Sequence, residues 1–251
     1  MTINGLYRMA RTLFALFAGF LALAPAMAGP PFLTDDPVPT DTGHWEIYGP
    51  QIDAEGRGGE FEGSGGLEVN YGAAPDLQLT FVLPVAFSHD DSSGWRAGRG
   101  DLELSAKYRF YHNDAGFSVA AFPGITLPTA SRGFGNRKVT ALLPIWGQQD
   151  IGAWSFFGGG GYAINPGQGN RDYWTGGLAV TRQISKSFLL GIEATRDGAD
   201  NDDSRARTNL GIGAILTLKA PFRLLASGGP TFDDGGGKAG YHMFAALGLD
   251  F

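Results

Sequence analysis

The stretch Asp101-Leu102-Glu103-Leu104-Ser105-Ala106-Lys107-Tyr108-Arg109-Phe110-Tyr111 alternates with a period of two. Leu102, Leu104, Ala106, Tyr108 and Phe110 share one face, and Asp101, Glu103, Ser105, Lys107, Arg109 and Tyr111 share the other. Successive side chains of a strand point to opposite sides, so this is a strand with one charged and one apolar face. Its eleven residues match the length of a tilted strand that crosses a bilayer. In a soluble sandwich the apolar face would meet a core. In a membrane barrel it meets lipid, and the charged face lines a wet interior. Leu77 to Phe87 repeats the pattern, with every odd position apolar.

Working outward predicts an all-β transmembrane antiparallel up-and-down β-barrel of about 12 strands. The expected spans are 44–53, 64–72, 77–87, 101–111, 116–128, 139–149, 153–164, 172–183, 187–196, 205–218, 222–232 and 239–251. Short connections at 73–76, 112–115, 150–152, 184–186 and 219–221 alternate with longer ones at 54–63, 88–100, 129–138, 165–171, 197–204 and 233–238. Such sorting of loops is the habit of outer-membrane barrels, with short periplasmic turns and longer outer loops. In the last hairpin a loop centred between 235 and 236 sets Phe222 opposite Leu249 and Arg223 opposite Gly248. Lipid-side and lumen-side parities then agree across the pair.

The N-terminus carries Arg8 and Arg11, an uncharged apolar run from Leu13 to Ala24, and Pro25-Ala26-Met27-Ala28. That is a signal peptide over residues 1–28, with cleavage expected between Ala28 and Gly29. The mature chain would hold 17 basic and 25 acidic side chains, a net charge of −8. No cysteine is present, so packing and hydrogen bonds alone must hold it. The acidic balance gives no support to a nucleic-acid partner. At the other end Tyr241, Met243, Ala245, Leu247, Leu249 and Phe251 lie on one face of an alternating strand. A terminal aromatic closing such a strand resembles the signal read by the outer-membrane assembly machinery, with Tyr241, Leu247, Leu249 and Phe251 as its residues. A barrel of this kind belongs in the outer membrane of a Gram-negative cell, in contact with lipid and lipopolysaccharide. Residues 29–43, rich in proline and aspartate, are no strand; they either stay in the periplasm or fold into the barrel mouth as a plug.

Several blocks carry a family resemblance: Gly29-Pro30-Pro31-Phe32-Leu33-Thr34-Asp35-Asp36-Pro37, then Gly43-His44-Trp45-Glu46-Ile47-Tyr48, then Leu143-Pro144-Ile145-Trp146, Gly152-Ala153-Trp154, Gly158-Gly159-Gly160-Gly161-Tyr162 and Asn165-Pro166-Gly167. In these the chain resembles the family of outer-membrane transporters named for the meta-pathway of phenol degradation. The resemblance implies passage of aromatic or other small compounds, and it brings no functional residues with it.

Candidate sites follow from the faces. Glu46, Glu68, Glu103, Lys107, Arg109, Glu193 and Arg223 all fall opposite the apolar face of their strands and are expected to line the lumen. On the lipid side each Lys or Arg would cost ~2–4 kcal/mol near the midplane. Two readings follow: a passive channel for small, hydrophobic or aromatic, molecules, or a structural or surface-interaction barrel with a closed interior. Neither needs a cofactor. The Gly158–Gly161 run lacks the helix and Lys-Ser/Thr pair of a phosphate loop, and reads as a close approach within a strand. Asp197, Asp200, Asp202, Asp203 and the pair Asp233-Asp234 read as solvated acidic loops; the sharper alternative is divalent bridging to lipopolysaccharide. Ser227 and His242 share the inner face without an orienting acid, so no catalytic residue is assigned and an enzyme is not expected.

Overall fold

The computed structural model describes residues 31–251. The expected signal peptide, its cleavage point and residues 29 and 30 lie outside the described residues. Fourteen strand segments follow one another: β1 (Trp45–Arg57), β2 (Glu60–Ala74), β3 (Leu77–Asp90), β4 (Gly94–Arg99), β5 (Leu102–His112), β6 (Phe117–Ala121), β7 (Gly124–Leu127), β8 (Thr140–Ile151), β9 (Trp154–Ile164), β10 (Tyr173–Ser185), β11 (Phe188–Asp197), β12 (Arg207–Thr217), β13 (Phe222–Asp233) and β14 (Gly240–Asp250). Both β4 and β5 pair with β3, so they are successive pieces of one barrel strand. In the same way β6 and β7 both lie between β5 and β8. The result is a closed antiparallel barrel of twelve strands.

Closure falls between β1 and β14, where Glu46 pairs with Asp250 and Tyr48 with Gly248. Trp45 and Phe251 exchange two backbone hydrogen bonds of 3.0 Å at the end of this seam. In the last hairpin Phe222 lies opposite Leu249 and Arg223 opposite Gly248, the register expected from the sequence. With no open edge in the wall, backbone groups are satisfied within the barrel, as a hydrocarbon surrounding demands. Such a wall resists detergent until boiled. Unheated and boiled samples of the mature chain are therefore expected to migrate differently on gels; identical migration would contradict closure.

The outer surface is apolar. Leu83, Val85, Tyr108, Leu143, Ile145, Leu178, Ile192 and Ile212 are all half exposed or more. Aromatic residues gather at both ends of the wall. At one end Trp45 packs on Tyr71 (4.3 Å between centroids) and Tyr111 on Phe117 (6.0 Å). At the other, Tyr162 meets Trp174 (5.1 Å), and Phe61, Phe87 and Trp95 cluster. Two aromatic girdles around an apolar band are what the two interfaces of a bilayer select.

Three local features differ from the sequence expectation. The connection expected at 54–63 is strand almost throughout, turning at Gly58 and Gly59, both at positive φ. Residues 88–100 also form a hairpin, from β3 into β4, rather than a long loop. Finally, bulges reset the faces. The ladder shifts between Tyr48 and Gln51, which turns Gln51, Asp53, Glu55 and Arg57 onto the inner parity that Glu46 and Tyr48 hold below. A second shift between Arg109 and Tyr111 carries Tyr111 out to Phe117, off the charged face on which the strict alternation put it.

Candidate functional site

The inner face is polar and the chain itself occupies it. Residues 31–43 run through the lumen rather than beside the barrel. Starting near the β1 end, Gly43 N donates to Gly72 O (2.7 Å), and both the amide and hydroxyl of Thr40 donate to Gln78 Oε1 (2.8 and 3.1 Å). Gln78 is itself fixed by Asn70 and Thr80. Further in, Lys107 Nζ donates to Asp35 Oδ1 at 2.9 Å and lies 4.8 Å from the Phe122 ring. The amides of Leu33 and Thr34 donate to the two oxygens of Glu193 (3.1 and 3.0 Å), and Ser227 Oγ donates to Pro31 O at 2.5 Å. An irregular segment has no ladder of its own, so its buried amides need such side-chain acceptors.

Phe32 enters the wall where the wall has no side chains. A Cβ on Gly191 would meet its ring at 2.6 Å, and one on Gly213 at 2.7 Å. Gly177 leaves equal space for Thr34, whose Oγ1 lies 2.3 Å from where that Cβ would stand. Phe32 packs edge-on against Phe157, 6.0 Å between centroids, in a cluster with Tyr48, Ala179, Leu189, Ile215, Leu225 and Ala246. This small core sits inside the barrel, which otherwise buries mostly polar groups.

Of the residues singled out from the sequence, Glu46 and Arg223 fall together. Arg223 Nη2 donates to Asp250 Oδ1 (2.6 Å) and to Tyr48 Oη (3.2 Å), and Tyr48 in turn donates to Glu46 (3.1 Å). Glu68 accepts from Asn70 (2.9 Å). Lys107 and Glu193 hold the inserted segment, as described. Arg109 sits lower and pairs with Asp76 of the β2–β3 turn at 2.6 Å. Glu103 faces open space on the inner wall. Tyr241, Leu247 and Leu249 lie on the outward parity of β14, which pairs with β13 and β1, and Phe251 follows on the same face, bonded to Trp45. Sequence reasoning missed Asp35 and Asp36, Gln78 and the three glycines. Asp36 is 1% exposed; its Oδ1 accepts from Val38 N at 2.6 Å and its Oδ2 has no partner. Burial raises its carboxyl to about 7, against the pull of Lys107 and with the help of neighbouring Asp35.

The other candidates have plain structural roles. A Cβ on Gly159 would stand 2.0 Å from Ile145 O, so the glycine run is a close approach of two backbones. Ser227 spends its hydroxyl on Pro31, and it faces Phe244 across the ladder rather than His242. Asp202 pairs with Arg171 (2.8 Å), Asp233 with Arg57 (2.6 Å) and Asp234 with Arg196. Among the described residues no group of three or more acidic or histidine side chains is arranged to hold a metal ion.

Above the segment, toward the longer loops, two cavities open. The larger, about 810 Å³, has Leu33 and Asp35 as floor and Asn136, Asn165, Asn170 and Asn201 at its rim. The other, about 580 Å³, lies across Phe134 and Gly135 and is lined by Asp53, Glu55, Arg207 and His242. Below them a space of about 250 Å³ surrounds Asp36, Glu46, Glu68 and Lys107. The larger cavity also reaches the wall where β6 gives way to β7. There β6 and β7 part at Phe122-Pro123, and between the rungs at Ile145 and Leu142 a single bond, Phe122 N donating to Pro144 O (3.1 Å), joins this stretch to β8. Pro123 and Pro144 have no amide to donate. An apolar cleft of about 320 Å³ on the outer face, lined by Leu104, Ala106, Pro123, Ile125 and Leu143, shares Leu104, Ser105, Gly124 and Ile125 with the cavity inside.

A closed twelve-stranded wall, an apolar belt between aromatic girdles and a polar lumen together define an outer-membrane β-barrel. The family described as "Putative MetA-pathway of phenol degradation" matches residues 56–240, and the chain belongs to it. No curated protein matches the sequence. Among solved structures, an outer membrane channel from Pseudomonas putida F1 is similar over 90% of this chain and 100% of its own, with a TM-score of 0.70 at 18% identity. The NanC porin aligns with a TM-score of 0.57 at 11% identity, covering 81% of this chain and 98% of its own. The KdgM porin, solved in complex with disordered oligogalacturonate, gives 0.57 at 10% identity, covering 82% and 99%. At these identities the likeness is one of fold.

Proposed function

We propose that this barrel is a passive outer-membrane channel for small molecules, aromatic or apolar ones in particular, with residues 31–43 as a plug that closes its resting state. The observation that carries the reading is the pairing of two outer cavities with a segment held by side-chain contacts rather than by strand pairing. A barrel built only for rigidity would fill its lumen with wall side chains, as eight strands nearly do. Here twelve strands leave space, and the chain fills part of it with a piece that can leave. The family description and the channel and porin folds agree with this reading. The cleft at Pro123 offers an apolar solute a second exit, through the wall into lipid, and its lining suits that class. The seven inner-face charges singled out from the sequence act here as wall and anchors. Leu247, Leu249 and Phe251, with Tyr241, serve assembly.

Planar-bilayer recordings test the reading. Purified mature chain is expected to give small, flickering conductance and to pass small aromatic solutes into liposomes; a silent protein that passes none is a closed structural barrel. The recordings should also depend on pH. The carboxyl of Asp36 is raised while the segment is docked, so docking is favoured by its protonated form. That contribution is fully present below the ordinary aspartate value of 3.8 and is lost as pH rises through about 7. Open probability is therefore expected to rise from pH 4 to pH 7 and level off above it, at roughly constant unit conductance, and Asp36→Asn is expected to flatten the dependence.

A further inference from the structure

The larger outer cavity has a charge character that the rest of the lumen lacks. Its aromatic lining comes from Phe122, Trp146 and Tyr173, and its charged lining is acidic: Asp35, Asp101, Glu103 and Asp200. Among the described residues no lysine or arginine lines it. Arg132, Arg137 and Lys138 belong to the loop above it, yet they are exposed and do not line it. The neighbouring 580 Å³ cavity differs, since Arg96 and Arg207 line it and Arg207 pairs with Glu55.

Two of the acids are already satisfied. Asp35 is neutralised by Lys107, and Asp101 is 8% exposed and accepts the amides of Ala130 (2.8 Å) and Asn136 (2.9 Å). Glu103 stands otherwise. It is exposed to the cavity, and the charged groups that act on it most are two further carboxylates, Asp101 and Asp53. Lys107, with which Glu103 shares the 250 Å³ space below, is paired with Asp35, so Glu103 stands beside like charges without an ion pair of its own. Trp146 of β8 and Tyr173 of β10 add aromatic lining, which attracts the same kind of group through the ring quadrupole. The volume lies within the range of small-molecule sites.

We propose that this cavity is a binding site for small organic ammonium ions with an aromatic or apolar body, and that Glu103 is the residue that sets cation over anion. The proposal rests on the channel reading for its role in transport, though not for binding. An ammonium head would pair with Glu103 while the body packs on Trp146 and Tyr173. An aromatic carboxylate or sulfonate of the same size would meet Glu103, Asp101 and Asp200, with the nearest cation, Lys107, already taken by Asp35.

Benzyltrimethylammonium and benzenesulfonate make a suitable pair, since they are alike in size, oppositely and permanently charged, and unable to cross lipid unaided. Calorimetry on the purified mature chain in zwitterionic detergent would measure binding, and release from liposomes would measure flux. The cation is expected to bind on the order of tenfold more tightly than the anion at low salt, less at high salt. Glu103→Gln is expected to remove most of the difference, and Glu103→Asp to keep it. Glu103 takes part in none of the side-chain hydrogen bonds or ion pairs described above, so both variants should fold; retained heat-modifiable migration checks this. Equal binding of the two ions, preference for the anion, or an unchanged ratio in Glu103→Gln would overturn the proposal. Cation-selective binding without flux of either ion would leave the site standing and overturn the channel reading. Flux of both ions with no binding preference would do the reverse.

Discussion

Removal of residues 31–40 is expected to raise single-channel conductance severalfold and to end the flickering of the intact chain. The segment fills the middle of the lumen: Thr34, Asp36 and Pro37 are buried almost completely, and Phe32 is 9% exposed. Nothing in the wall depends on it, because each strand is paired on both sides without it. Its loss should therefore widen the path and leave the barrel closed, with heat-modifiable migration retained. Some stability is lost. Glu193 and Lys107 give up their partners, but an emptied lumen hydrates them, so the penalty of a dry unpaired charge does not apply. A smaller change should act in the same direction. A leucine at Gly213 would occupy the recess that receives the Phe32 ring, and Gly213→Leu is expected to raise open probability without altering the open conductance. If the shortened chain conducts like the intact one, the segment is no plug and the restriction lies elsewhere in the lumen.

The wall could be read from the sequence because one solvent acts on each of its faces. Where hydrocarbon meets one side and water the other, alternation is strict, and Leu77–Phe87, Leu102–Arg109 and Tyr241–Phe251 show it cleanly. The register of the last hairpin followed from parity alone, and β13–β14 has it. Beyond the bilayer both faces are wet, and the pattern fades. Hence Ala54–Arg57 and Glu60–Gly63 looked like loop although they continue as ladder to a Gly-Gly turn. Bulges were invisible for a related reason. At Gly49-Pro50 the face that meets water changes parity, and the sequence then shows two short alternations out of phase rather than one long one. The inserted segment has no period to read. Its place is set by distant partners, Lys107, Glu193 and Gln78, and by the glycines Gly177, Gly191 and Gly213, which in sequence look like ordinary strand glycines.

The opposite faces also make the largest expected difference between two variants that introduce the same residue. Ile192→Arg should impair insertion strongly, whereas Asp53→Arg should insert as the unmodified chain does. Ile192 is 61% exposed in the middle of β11, with Val180 of β10 and Ile212 of β12 directly abreast of it. These three apolar side chains form part of the belt that meets lipid tails. An arginine at the midplane of such a belt costs ~2–4 kcal/mol. Asp53 lies on the inner parity after the β1 bulge and lines the 580 Å³ outer cavity beside Glu55 and Glu62. An arginine there meets water and two carboxylates. Folding into lipid vesicles followed against urea would show the contrast, as would the amount of each variant reaching the outer membrane. Strand alternation ties the two outcomes together: a barrel wall turned inside out would reverse both. Normal insertion of Ile192→Arg with failure of Asp53→Arg would therefore overturn the facing of the whole wall, and with it the lumen in which residues 31–43 and both outer cavities lie.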